Sequence, residues 1–532
     1  MRLRLLASIL LALLSLIPAR AATFDLTSAG IPEINAAFAA GALTSEKLTQ
    51  LYLARIDAYE KNGPKLHAII TLNPHALAEA RALDLERKTK GPRGPLHGMP
   101  VLLKDNIETT GLPTSAGFYA LRDSIPAQDA EQTRRLRAAG CVILGKTNLS
   151  EFASRAAIST LGGQMRNPHA LDRSPSGSSG GSGAGIAAGF AVFALGTDTG
   201  GSIRGPSASN GIAGLKPTFG LSGRGGIIPL SLSLDTVGPM ARSVSDLAYA
   251  LNVMAGPDPR DPATAVYADR KPVDYTAGLK PGALKGARLG LLRDFMKRDA
   301  GVDAVVETAV AVLRNQGAEV IDIALPDFAL GLNQGLYPAI RFTEFRFQIE
   351  AYLATLPPGP GRPTTHAEII ALTEKIKATT PEGWVPNPTR LKSYKREAES
   401  GTLADTPYLT ALHEGRAIIT KNLEWFLAKE KLDAFIVPTD SEPPELIADA
   451  EKEPPEKIGG SPAHLGNMSG WPDLIVPTGF TSNPALPVAL SFIGPALSEA
   501  RLLALGHAFE LALPARRLPA TTPALPGEKF DY

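Results

Sequence analysis

Three positions in this 532-residue chain carry side chains that together could make and break a covalent bond. Ser202 stands in GTDTGGSIRGP (196–206), directly after two glycines. Glycine permits close backbone approach and unusual dihedrals. Such a turn can aim consecutive N–H groups at one point, as an oxyanion hole must. Ser178 lies upstream in SPSGSSGGSGAG (174–185), a stretch made almost entirely of serine and glycine. Lys104 ends the apolar run MPVLL (99–103), an awkward place for a charge. The plainer alternative for a lone lysine is a snorkelling or ion-paired surface residue. Together the three supply a base and two hydroxyls without a histidine. A serine hydroxyl is a weak nucleophile that needs an adjacent base. Lysine serves as that base only when neutral, a state that burial favours.

The serine–glycine stretch admits other readings. A flexible linker joins separate domains and is flanked by polar sequence. Here GIAAGFAVFALGTD (185–198) follows at once, and its small residues suit a tightly packed buried helix. A phosphate loop needs GxxxxGK[ST] or GxGxxG after a strand. No lysine follows the glycines, and RNPHALDR (166–173) does not read as a strand. Gly177 to Gly181 also matches the G-x-S-x-G nucleophile elbow, which requires an entering strand and a downstream histidine. The strand is missing, and the available bases, His464 and His507, sit in undistinguished sequence.

Around these residues the text resembles the amidase signature family of serine hydrolases. The resemblance rests on LHGMPVLLKDNI (96–107), GKTNLSEFA (145–153), GGQMRNP (162–168) and the long block 174–246, with a weaker match near Thr478. It implies an α/β fold with a large mixed central β-sheet covered by helices on both faces. Ser202 is then the nucleophile, Ser178 the bridging serine on a cis Gly177–Ser178 bond, and Lys104 the base. The backbone N–H groups of Thr199, Gly200, Gly201 and Ser202 form the oxyanion hole. Ser179 is a supporting hydroxyl. Asp198 and Arg204 brace the loop, or form an ordinary ion pair. Phe152 lines the acyl pocket, or is plain core. No cofactor and no metal is implied.

Members of this family act on peptide C-terminal amides, fatty-acid amides, aryl amides, carbamates and glutaminyl groups on transfer RNA. The wording of GGQMRNP and SLDTVGPMARSV (233–244) looks most like bacterial peptide amidases. The expectation is therefore a serine amidohydrolase taking a small amide or peptide-amide substrate. A reading from another class is a periplasmic module that binds amides without turning them over. The intact Lys104, Ser178 and Ser202 count against it.

These side chains need rigid elements to position them. Leu48, Leu51, Tyr52, Ile56 and Tyr59 share a helical face after the start signal Thr44-Ser45. LHAII (66–70), the run into Lys104 and CVILGKTN (141–148) read as strands, with helices over 74–90 and 127–139 between them. Strand, helix and strand alternate again from 287 to 323, which points to layered α/β architecture. Residues 257–281 are proline-rich and irregular. The segment 328–430 is mainly helical, lacks chemical motifs, and is either a cap over the site or plain packing on the sheet. DAFIVPT (433–439) and DLIVPTGF (473–480) read as strands, and the acidic, proline-rich 441–457 as a solvated loop.

Composition narrows the setting. A hydrophobic content of 44% suffices for a large core, and a formal net charge of +1 without basic blocks argues against a nucleic-acid partner. Arg2 and Arg4, the apolar run 5–17 and Ala19-Arg20-Ala21 read as a signal peptide over 1–21, leaving 22–532 as one amidase domain. An exported protein without stable membrane association follows. The single cysteine, Cys141, allows no internal disulfide and reads as a buried small hydrophobe. The eight histidines form no metal motif.

Overall fold

The continuous apolar runs become strands that are buried on both faces, as happens where helices cover a sheet on either side. Eleven strands join one mixed sheet: β1 Ile69–Leu72, β2 Pro100–Lys104, β3 Val142–Thr147, β4 Phe193–Asp198, β5 Ala213–Lys216, β6 Thr236–Ala241, β7 Arg288–Leu292, β8 Glu319–Ile323, β9 Ala434–Pro438, β10 Asp473–Phe480 and β11 Pro487–Ile493. Their order is 8-7-9-11-10-5-6-4-2-3-1. β2 pairs in parallel with both β3 and β4, and β7 with both β8 and β9; the other pairings are antiparallel. The α/β class and the large mixed sheet flanked by helices match the expectation. This computed structural model describes residues 22–532 apart from 155, 358, 377, 381–382 and 450–458. The leader 1–21 and the end of the acidic loop therefore lie outside the described residues.

Helix α1 (Ser45–Ile56) starts where the sequence signals it. The Thr44 hydroxyl accepts the Lys47 N–H, and Leu48, Leu51, Tyr52 and Ile56 are buried. One expectation fails. Residues 185–198 do not form one buried helix. Helix α2 (Gly180–Ala187) ends early, Gly189 turns the chain at a φ of 75°, and Phe193–Asp198 continues as β4. A short run that is apolar on all sides carries no period to separate helix from strand. The glycine, which alone adopts that φ at no steric cost, decides the break. Beyond β4, helix α3 (Arg204–Ser209) opens just past Ser202.

The helical segment contains α4 (Asp327–Leu353) and α5 (Pro388–Glu399). A buried charge cluster clamps them together. Glu397 of α5 pairs with Arg341 of α4 at 2.5 Å and with Arg390 at 2.6 Å. Burial opposes the Glu397 charge, but the two guanidiniums and His366 hold its pKa down at about 2. The Ser231 hydroxyl donates to Glu344 of α4 at 2.6 Å, tying this helix to the loop before β6.

Candidate active site

The parallel strands β2 and β4 run side by side, with Leu103 opposite Leu195. Their carboxyl ends therefore deliver Lys104 and the pair Thr197–Asp198 to the same edge, where α/β sheets commonly bind ligands. Lys104 is fully buried. Its Nζ lies 2.7 Å from Ser178 Oγ, 2.8 Å from Thr197 Oγ1 and 3.3 Å from the Thr197 carbonyl. Asn106 Nδ2 donates to the same Thr197 hydroxyl at 3.1 Å. Burial pulls the lysine pKa down to about 7, against the opposing influence of Asp198 and Asp235.

Burial alone does not single out Lys104, because Lys146 and Lys216 are equally hidden. Lys146 is pinned by the Ile107 carbonyl, Thr114 and Asp105. Lys216, also lowered to about 7 by burial, donates to the Pro217 carbonyl. Of the three, only Lys104 meets a serine hydroxyl.

The serine–glycine stretch wraps this lysine. The Gly177–Ser178 bond is cis. Ser178 is 1% exposed, and its carbonyl accepts the Ser150 N–H. The Ser179 N–H donates to the Ser202 carbonyl at 3.1 Å, and its hydroxyl donates to the Thr197 carbonyl at 3.2 Å. Ser179 thus fastens the Ser178 loop to both β4 and the Ser202 turn. The glycines of α2 have a packing reason. A Cβ at Gly181 would lie 2.3 Å from the Asn148 carbonyl oxygen, so the helix approaches neighbouring backbone as only glycine can.

Asp198 organises the Ser202 turn. Its carboxylate accepts the N–H groups of Gly201 and Ile203, both at 2.9 Å, and both arms of the Arg204 guanidinium. Asn467 adds a third side-chain contact at 3.0 Å. Burial disfavours this carboxylate charge, but Arg204, Asn467 and the Ile203 N–H override it and hold the group well below the usual carboxylate range. Arg204 reaches on to Asp473 of β10 at 3.0 Å and to the Ala463 carbonyl. Asp198 and Arg204 are therefore an ion pair whose geometry also shapes the turn.

This network corrects one expectation. The Gly201 N–H is committed to Asp198, so it cannot serve an oxyanion. Among the described residues, no acceptor takes the N–H groups of Thr199, Gly200 or Ser202. Those three are free to receive an acceptor, while Gly201 supplies a φ of 118° for the turn. The Thr199 hydroxyl donates to Asp235, whose pKa burial raises to about 6. Ser202 is half-buried at the turn's tip. Its hydroxyl makes no hydrogen bond to Ser178, so the chain of contacts closes from Lys104 to Ser178 and stops there.

A cavity of about 650 Å³ opens beside this turn, within the usual range for small-molecule sites. Ser176 and Ser209 line one side, and Tyr337, Arg341 and Phe342 of α4 line another. Residues of the helical segment thus wall this cavity. Tyr337 presses on Gly200, where an added Cβ would meet its ring at 2.5 Å. His464, opening helix α6 (Ala463–Ser469), stacks on Tyr337 with ring centroids 4.4 Å apart. Burial holds the His464 pKa near 4, and its Nδ1 faces the Asn333 carbonyl. His507 sits 4.0 Å from Glu510 on another helix. Neither histidine contacts a serine of the loop, so the nucleophile-elbow alternative lacks its base.

Phe152 is buried in an aromatic cluster with Phe118, Phe345 and Tyr394, an environment in keeping with the core alternative. Cys141 is buried 3.7 Å from the Leu96 carbonyl, and burial pushes its thiol far up, away from reactivity. Sequence reasoning passed over Thr197, Asn106, Asn467, Asp473 and Tyr337. Thr197 and Asn106 lay inside the matching blocks. Tyr337 lay in a segment with no motif.

Residues 47–503 match the Amidase family profile. Over 517 residues the chain is 35% identical to a probable amidase of Arabidopsis thaliana, covering 93% of this chain and 92% of that one. It is 38% identical over 481 residues to one component of the glutamyl-tRNA(Gln) amidotransferase of Chloroflexus aggregans, covering 89% and 94%. Among solved structures, the native peptide amidase of Stenotrophomonas maltophilia superposes with a TM-score of 0.83 at 39% identity, covering 93% and 99%.

Proposed function

The chain belongs to the amidase family, and from that premise we propose that it is an exported serine amidohydrolase that removes the C-terminal amide of peptides through an acyl-enzyme on Ser202. The observation that carries the mechanism is the 2.7 Å contact between a fully buried Lys104 and Ser178. A neutral lysine has two N–H groups and one lone pair. The N–H groups suit the Thr197 carbonyl and hydroxyl, and the lone pair faces the Ser178 O–H.

When the substrate binds, Ser178 bridges to Ser202, a contact of the kind that often tightens only in the Michaelis complex. Ser202 Oγ attacks the amide carbon as its proton moves to Ser178, and the Ser178 proton moves to Lys104. The N–H groups of Thr199, Gly200 and Ser202 receive the oxyanion. Protonation of the nitrogen by the same relay, run backwards, breaks the C–N bond and releases ammonia. A water, deprotonated through Ser178 and Lys104, then attacks the ester. Ser202 recovers its proton and the acid leaves.

The peptide substrate is supported by the likeness to a solved peptide amidase and by the cavity wall. Arg298, Arg341, Arg396, Asp440, Glu442 and Glu445 all line it. These polar side chains suit the amide groups of a peptide backbone. Export rests on the leader at 1–21. Ammonia release from an amidated dipeptide, a long-chain fatty amide and an anilide tests the substrate class. The dipeptide amide is expected to have the highest kcat/KM; preference for either of the others overturns the peptide reading.

A further inference from the structure

The cavity beside the Ser202 turn does not end at helix α4. A second groove of about 420 Å³ lies across that helix and shares Pro338, Phe342 and Arg396 with the first. Gly335 and Ala339 of α4 form its near side, and Thr402, Asp405 and Tyr408 its far side. The far side is built rather than loose. Arg346 donates to the Ala398 and Gly401 carbonyls, both at 3.0 Å, and Asp405 accepts both the N–H and the hydroxyl of Thr402. Tyr408 donates to Glu344 at 2.7 Å. At the junction the Arg396 guanidinium lies 4.0 Å over the Phe342 ring, making a flat saddle between the two hollows.

We propose that this groove is a distal subsite for the N-terminal part of longer peptide amides, which makes the enzyme selective for oligopeptides over dipeptides. The inference rests on the peptide-amide reading of the catalytic site. The two hollows meet at Pro338, Phe342 and Arg396, and an extended peptide can follow that junction across the Arg396 guanidinium. A helix is about 10–12 Å across, and an extended chain advances about 3.3–3.4 Å per residue. A peptide therefore needs about three to four residues to cross the helix from the first hollow into the groove.

Amidated Gly/Ala peptides of one to six residues test this. The expected result is a rise in kcat/KM of about tenfold or more between three and five residues, then a plateau; each tenfold step corresponds to about 1.4 kcal/mol. Gly335→Trp should plug the groove and bring the ratio of pentapeptide to dipeptide close to one. Nothing lies within 4 Å of a Cβ placed at Gly335, and a side chain there also favours the helix. Gly331→Trp, one turn earlier, equally open and outside both linings, should keep the wild-type ratio. A flat length profile in the wild type, with dipeptide amides still hydrolysed, overturns the subsite alone. An unaltered ratio in folded Gly335→Trp overturns it too. No turnover at any length overturns both the subsite and the peptide-amide reading beneath it.

Discussion

The Nζ of Lys104 and the Oγ of Ser178 lie 2.7 Å apart in a part of the molecule that is closed to solvent. No carboxylate hydrogen-bonds this lysine among the described residues; Asp198 and Asp235 act on it only through space. An ion pair would have kept the amine charged. Hydroxyl and carbonyl partners leave burial to set its protonation.

This predicts the pH dependence of activity. With a pKa of about 7, Lys104 becomes competent as a base as pH rises through neutrality. The acid limb of a kcat/KM profile should have its midpoint there and give way to a plateau. An arginine cannot lose its proton in proteins, so Lys104→Arg should be inactive across the whole range.

Stability should also depend on this lysine. The unfolded lysine titrates near 10.4 and the folded one near 7. Between those values the unfolded chain holds more protons, so wild-type stability rises with pH. Lys104→Met removes the buried charge. It should be more stable than the wild type at neutral pH, by a margin that shrinks as pH approaches 10. Urea midpoints at pH 7, 8.5 and 10 measure this; a margin that widens with pH would be inconsistent with a neutralised lysine.

Asp198→Asn attacks the turn rather than the relay. Breaking a buried ion pair costs about 3–5 kcal/mol when it strands the partner charge. Arg204 keeps Asp473 here, so a loss at the low end of that range is expected in urea unfolding. Activity should fall further than stability does, because the N–H groups of Gly201 and Ile203 lose the carboxylate that fixes the Ser202 turn. Stability loss with wild-type kcat would reduce Asp198 to a structural residue.

Gly200 and Tyr337 should be coupled. A Cβ at Gly200 would meet the Tyr337 ring at 2.5 Å, and that ring is backed by His464. Gly200→Ala should therefore displace a proposed oxyanion donor and lower kcat by about 10²-fold or more, the scale of losing one such donor. Pairing it with Tyr337→Ala should restore at least part of the loss. Contacting residues of this kind give clear non-additivity in a double-mutant cycle. Strictly additive effects would mean that the two do not touch in the working enzyme.

Much of the candidate site was legible in the chain because its proposed chemistry is written in residue types. A lysine closing an apolar strand and two serines in glycine-rich turns are unusual enough to be noticed before any fold is known. The break between α2 and β4 was not, since residues 185–196 are apolar or glycine throughout and fit either period. Which N–H the Asp198 carboxylate captures depends on a turn whose shape is tertiary, so Gly201 could not be told apart from its neighbours. Tyr337 was invisible for another reason. Its position in a motif-free helix says nothing, and only the packing of α4 on the nucleophile turn brings it to Gly200.

The central claim is that Ser202 carries the acyl group. The most direct measurement is ammonia release from an amidated peptide by Ser202→Ala, with the fold verified by circular dichroism. Loss of the nucleophile in a comparable serine hydrolase costs about 10⁶-fold in kcat. A fall of about 10⁴-fold or more is expected. Turnover within tenfold of the wild type would rule out Ser202 as the acyl carrier.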